Sequence, residues 1–106
     1  MFFELRQYRI KGGQRDKWVK LMEEEIIPFQ ISKGMVVAGS FICQDEDDLY
    51  IWLRRFESEE ERKALYEAVY QSDYWNNTIK PKIDPLLDRE KIIVTCLEPT
   101  PKSVVH

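Results

Sequence analysis

Residues 35–56, MVVAGSFICQDEDDLYIWLRRF, decide the fold. Two runs of branched and aromatic residues, Met35 to Gln44 and Leu49 to Phe56, are parted only by Asp45-Glu46-Asp47-Asp48. So short a connection can join only antiparallel strands, so the two runs form a hairpin. Upstream, Trp18, Leu21, Met22, Ile26 and Phe29 recur at three- and four-residue steps between Gln14 and Lys33, with Lys20, Glu23 and Glu24 elsewhere on the wheel. That pattern predicts an amphipathic helix, bent or restarted at Pro28 and stopped by Gly34. Downstream, Ser58 precedes Glu61 in a capping box, and Glu59 and Glu60 sit favourably against the dipole of a second helix. Leu65, Ala68 and Val69 give that helix its buried stripe as far as about Gln71. Ser72 or Asp73 then caps a further turn carrying Trp75 and Ile79, which Pro81 and Pro85 close. Phe2 to Ile10, ending at Gly12-Gly13, and Lys91 to Leu97 read as the first and last strands.

The order strand, helix, strand, strand, helix, strand is the α+β ferredoxin-like βαββαβ pattern. It predicts a four-stranded antiparallel sheet in the order four, one, three, two, with both helices on one face. Residues 1–98 form this single domain. Residues 99–106, where Pro99 and Pro101 end regular structure, form a C-terminal tail expected to be mobile.

Alternation along the two central strands then assigns faces. Phe3, Leu5, Leu49, Ile51 and Leu53 are the aliphatic set that the helices should cover. Glu4, Arg6, Tyr8, Tyr50, Trp52 and Arg54 are left together on the other face. Large aromatics exposed in one patch mark a partner or ligand surface. The expectation is that a second copy packs there and encloses a pocket, with those six residues as candidate ligand contacts and Arg6 and Arg54 as anion partners. The alternative is a filled dimer core with internal ion pairs. Trp18 and Trp75 belong to helical stripes and read as core. Arg62 reads as a surface partner of Glu57, and Glu23-Glu24-Glu25 as a solvated helix face.

Composition narrows the function. Of 106 residues, 43% are hydrophobic and 33% charged, as in an ordinary globular domain able to hold a core unaided. Sixteen basic against nineteen acidic residues leave no stripe for phosphate neutralisation, which argues against a nucleic-acid partner. The apolar run from Met35 to Cys43 is far too short to span a bilayer, no secretory leader opens the sequence, and a cytoplasmic location without membrane association is expected. Cys43 and Cys96 lack the spacing of a metal or redox pair and read as reduced thiols. The one histidine, His106, ends the tail. No metal or cofactor site is expected, and no catalytic residue is assigned.

Certain residues in order, however, resemble a family. Glu4-Leu5-Arg6-Gln7-Tyr8, Gly12 or Gly13, Trp18, Gly34, Phe56-Glu57-Ser58 with Arg62, and Asp73-Tyr74-Trp75 before Ile79 and Pro81 are similar to bacterial NIPSNAP-family proteins. The resemblance implies a homodimeric α+β barrel of ferredoxin-like subunits, without settling a reaction. The same barrel resembles antibiotic-biosynthesis monooxygenases, which work without metal or flavin through a tryptophan, asparagine and tyrosine set. Trp52, Tyr8 and Tyr50 could supply rings for such chemistry, whereas Asn76 and Asn77 follow the second helix. It also resembles haem-degrading enzymes, whose histidine ligand on a helix has no counterpart here. Three functions are therefore carried forward: a homodimer binding a small aromatic or anionic ligand, a cofactor-independent monooxygenase, and a non-catalytic interaction dimer.

Overall fold

A computed structural model describes residues 1–106. Strand β1 (Phe2–Ile10) leads through Gly12 and Gly13 to helix α1 (Arg15–Leu21). Both glycines have positive φ, 58° and 68°, which a tight left-handed turn requires. A π-helical stretch, Met22–Ile26, follows, and helix α2 (Ile27–Ser32) continues it. Strands β2 (Val36–Ile42) and β3 (Leu49–Phe56) form the hairpin, helix α3 (Glu59–Tyr70) crosses back, and a second π stretch, Trp75–Ile79, runs into helix α4 (Lys80–Ile83) before strand β4 (Leu87–Leu97). The sheet order is β2-β3-β1-β4, all antiparallel, as the ferredoxin-like pattern requires.

Local chemistry explains most boundaries. The amide of Glu61 donates to Ser58 Oγ at 3.1 Å, and the amide of Glu57, one residue before the cap, donates to Glu61 Oε1 at 3.2 Å. Gly34, at φ 105°, ends α2 in a Schellman motif: its own amide donates to the Ile31 carbonyl and that of Met35 to the Gln30 carbonyl, both at 3.0 Å. Ser72 Oγ accepts from the Trp75 amide at 3.1 Å, so Ser72 is the second cap.

Three expectations are corrected. Pro81 does not close its segment but sits in the first turn of α4, just as Pro28 sits in the first turn of α2. Each proline lies two residues past a π stretch, whose wider turn relieves the clash with the carbonyl four residues back. Ala68 is exposed, and α3 instead turns Val69, Tyr66 and Tyr70 toward the sheet. Strand β4 begins at Leu87 rather than Lys91, because an edge strand accommodates the charges of Asp88, Arg89, Glu90 and Lys91. A register shift between Gln7 and Arg9 accompanies that extension.

The largest correction concerns the two faces. The hydrophobic cluster under the helices contains Tyr8, Tyr50, Trp52 and Phe56 from the sheet, packed with Trp18, Met22, Ile26, Val69, Trp75 and Ile79. Glu4 and Arg54 are buried on that same side. The helices therefore cover the aromatic and charged set, and the aliphatic set faces away. Register places Leu5, Ile51, Leu53, Phe41, Ile93 and Leu97 together on the open face. Side-chain bulk is the reason: the rings bury more area than branched aliphatics, and the charges among them find partners. The ring of Phe41 lies over Gly39, where any Cβ would meet it at 2.4 Å. The tail, expected to be mobile, folds back through a turn in which the Ser103 amide donates to the Thr100 carbonyl at 2.9 Å. Pro99, Ser103 and Val105 share a groove with Phe3, Leu53 and Leu97 at one end of the open face.

Candidate functional site

Strand alternation places Glu4, Arg6 and Tyr8 of β1 opposite Arg54, Trp52 and Tyr50 of β3 on the helix side. At the Glu4 end the chain builds an ion cluster. Glu4 Oε1 accepts from Arg54 Nη2 at 2.5 Å, and Oε2 accepts from Arg62 Nε at 2.9 Å and from the Tyr66 hydroxyl at 2.6 Å. Arg6 Nη1 approaches Oε1 at 3.3 Å. Arg54 also donates through Nη1 to Gln30 Oε1 at 2.9 Å and to the Tyr70 hydroxyl at 2.8 Å. Its guanidinium lies 4.6 Å from the Trp52 ring centroid and 5.1 Å from that of Tyr66. Arg62 thus reaches inward to Glu4 and sideways to Glu59, not to Glu57, which pairs with Arg55. The expected Glu57 partner is wrong because α3 turns Arg62 toward the sheet.

Burial alone would raise the Glu4 carboxyl, but the charge of Arg54, the Tyr66 hydroxyl and Arg6 together hold it down at about 2. Glu4 is therefore a fixed anion at neutral pH. Burial pushes the Tyr66 phenol up to about 12, with the neighbouring Arg54 opposing and Glu4 reinforcing. Burial also raises Tyr8, against the pull of Arg6.

Beside this cluster, between sheet and helices, lies a cavity of 360 Å³. Tyr8 and Trp52 form its floor, Trp18 and Met22 one wall, and Tyr70 and Trp75 another. Arg6 enters from the cluster, its Nε donating to the Tyr8 hydroxyl at 2.8 Å. Lys80, Arg89 and Asn76 are exposed at the mouth. The two π stretches contribute Met22 and Ile26 on one side and Trp75 and Asn76 on the other, and π segments gather at functional sites.

Of the six residues expected at a site, Arg6, Tyr8 and Trp52 line the cavity. Glu4 and Arg54 lie in the cluster beneath it. Tyr50 does neither: its hydroxyl shares a 2.6 Å hydrogen bond with Ser40, and burial, partly offset by that bond, raises it to about 12. Sequence reasoning missed Gln30, Tyr66, Tyr70 and Lys80 in the helical half of the site, and it set aside Asn76, which follows the second helix yet lines the cavity. The spacing of Tyr66 and Tyr70, four apart on one helix face, was the available signal. Trp18 and Trp75 are core, as expected, and line the cavity as well. No group of three His, Cys, Asp or Glu side chains comes together to hold a metal, Cys43 and Cys96 are free thiols, and no helix is long and apolar enough to cross a membrane.

The whole fold recurs in solved structures. A NIPSNAP family protein of unknown function from Agrobacterium tumefaciens superposes with a TM-score of 0.90 at 24% identity, covering 100% of this chain and 94% of that one. An uncharacterized NIPSNAP domain protein from Burkholderia xenovorans gives 0.85 at 20% identity over 97% and 98% of the two chains. An antibiotic biosynthesis monooxygenase gives 0.68 at 14% identity over 95% and 100%, a likeness of fold alone. No curated protein matches the sequence. The NIPSNAP family model, in contrast, matches residues 3–102, nearly the whole chain, and by that match the chain belongs to the NIPSNAP family.

Proposed function

We propose that this NIPSNAP family member is a cytoplasmic homodimer that binds a small aromatic or anionic ligand in each protomer, between the sheet and the helices. The observation that carries the ligand is the 360 Å³ cavity, walled by rings and served by Arg6 and Lys80. In this reading ligand and partner do not share one face, as the sequence alone suggests, but lie on opposite sides of the sheet. The open face, with Phe41 and Ile93 more than half exposed beside Leu97, is the surface for the second copy. A twofold axis through it would set two identical apolar faces against each other, in the manner of an α+β barrel. Native mass spectrometry of the protein from its own cytosol tests both halves. A dimer with a reproducible small-molecule excess is expected. A bare dimer would favour the non-catalytic interaction protein, and a monomer would remove the barrel.

A second reading, a cofactor-independent monooxygenase, is favoured by one specific observation: Trp52, Asn76 and Tyr8 all line the same cavity, although Asn76 follows the second helix in sequence. In such a reaction dioxygen converts a ring-activated methylene to a carbonyl, the substrate supplies all four electrons, and water is the second product. Oxygen uptake with anthrone- and quinol-type compounds checks it. Stoichiometric uptake abolished by Asn76→Ala would support catalysis, and uptake equal to that of a buffer blank would count against it.

A further inference from the structure

Hydrogen-bond donors outnumber acceptors around the cavity. The Tyr8 oxygen accepts from Arg6 Nε, and the Tyr70 oxygen accepts from Arg54 Nη1 at 2.8 Å and Gln30 Nε2 at 3.2 Å. Neither hydroxyl proton has an acceptor in the protein, and a phenol has one proton to give. The indole N–H groups of Trp18 and Trp52, both buried, are also without acceptors. Trp52 Nε1 lies beside the Tyr8 oxygen without aligning as a hydrogen bond to it, so these two donors converge. Acceptors are scarce by comparison. Gln30 Oε1 is taken by Arg54, and Asn76, whose amide donates to the Tyr70 and Ser72 carbonyls at 3.0 Å, keeps one carbonyl oxygen at the mouth. Lys80 makes no ion pair, and no aspartate, glutamate, histidine or cysteine lines the cavity.

Buried donors without acceptors are costly, and the ligand that relieves them is one that only accepts. From this surplus of donors we infer that the cavity is a receptor for an aromatic oxyanion, a phenolate or aryl carboxylate, whose oxygen sits among Tyr8, Trp52 and Arg6. The ligand must arrive already ionised. Glu4, the carboxylate that pairs with Arg6, has both oxygens occupied and stays unprotonated at neutral pH, so it neither takes nor supplies a proton. The raised phenols of Tyr8 and Tyr66 remain neutral donors as well. This inference rests on the ligand cavity proposed above and narrows its occupant.

The test uses 4-nitrophenol, whose two protonation states absorb differently, and its neutral methyl ether 4-nitroanisole, with the full-length protein. The ionised probe is expected to bind at least about tenfold more tightly than the neutral phenol, so the bound probe should ionise about one pH unit lower than the free one. Tyr8→Phe should erode that preference while 4-nitroanisole binds unchanged, which also shows that the variant keeps its fold. Displacement by 4-nitrobenzoate would extend the class to carboxylates, and failure to displace would confine it to phenolates. Should 4-nitroanisole bind as tightly as the phenolate, the oxyanion preference is refuted while the aromatic cavity stands. Binding of none of the three would overturn both.

Discussion

On the helix side of the sheet Glu4 and Arg54 are 0% exposed, whereas on the opposite side Phe41 and Ile93 are 56% and 54% exposed. Charges are inside and aliphatics outside, within a few ångströms of the same backbone. The difference shows what burial demands. A charge can leave water when most of its polar atoms are met: both Glu4 oxygens are, by two arginines and a tyrosine at 2.9 Å or less, and of the Arg54 nitrogens only Nε has no partner. An apolar face needs no specific partner atom, only another surface of its own kind, and it can wait for a second chain. Polarity therefore does not report which side of this sheet is inside; satisfaction of polar groups does.

The sharpest way to break that comparison is to remove the carboxylate. Glu4→Ala leaves Arg54 buried beside Arg6 and Arg62 without its anion, and breaking a buried pair from one side costs about 3 to 5 kcal/mol. Urea unfolding at neutral pH measures it. A loss below about 1 kcal/mol would mean that water or a rearranged Arg54 replaces the carboxylate readily. Acid tests the same group without mutation. The folded-state value of about 2 lies below the ordinary 4.5, so the contribution of Glu4 is fully present above about pH 4.5 and is lost as the pH falls through 2. A shift of that size corresponds to about 3 kcal/mol. Stability measured between those limits should fall more steeply in the wild type than in Glu4→Gln, and equal slopes would remove Glu4 as the source.

The open face should respond in the opposite manner. Ile93→Lys places a charge on that face, on edge strand β4 opposite Gln7 of β1, where a monomer leaves it in water. Sedimentation should show dimerisation weakened by at least about tenfold, about 1.4 kcal/mol, with unfolding of the separated chain changed by less than about 0.5 kcal/mol. If the wild type sediments as a monomer at every concentration, the open face has some other covering. If Ile93→Lys destabilises the isolated chain by more than about 2 kcal/mol, that face is part of the monomer core after all.

Element order, the hairpin, both caps and the strand order were legible because each has a local cause: a four-residue acidic turn, Ser58 with Glu61, Ser72 before Trp75, Gly34 after Ser32. Residues sharing a face were legible too, since alternation fixes them. Which face turns inward was not, because hydropathy counts Arg54 as polar and cannot register that Glu4, Gln30 and Tyr70 will accept from its two Nη groups. Half of the site lay beyond reach for the same reason. Gln30 is unremarkable on its own helix and gains a role only where α2 closes over β3 and its amide meets Arg54.

Tyr50 separates sharing a face from sharing a site. It is buried on the same side as Tyr8 and Trp52, its ring centroid 6.3 Å from that of Tyr8, yet its hydroxyl turns toward Ser40 of β2 and the cavity does not include it. Tyr50→Phe keeps the ring and removes one hydrogen bond, leaving Ser40 with a hydroxyl that, half-buried, can still reach water. The expected loss is about 1 kcal/mol in unfolding free energy, with 4-nitrophenolate affinity within about twofold of the wild type. Tyr8→Phe, by the accounting above, should instead weaken the phenolate. If Tyr50→Phe weakens it equally, the ligand is held by the whole aromatic layer of the sheet rather than by the donors that converge beside Arg6.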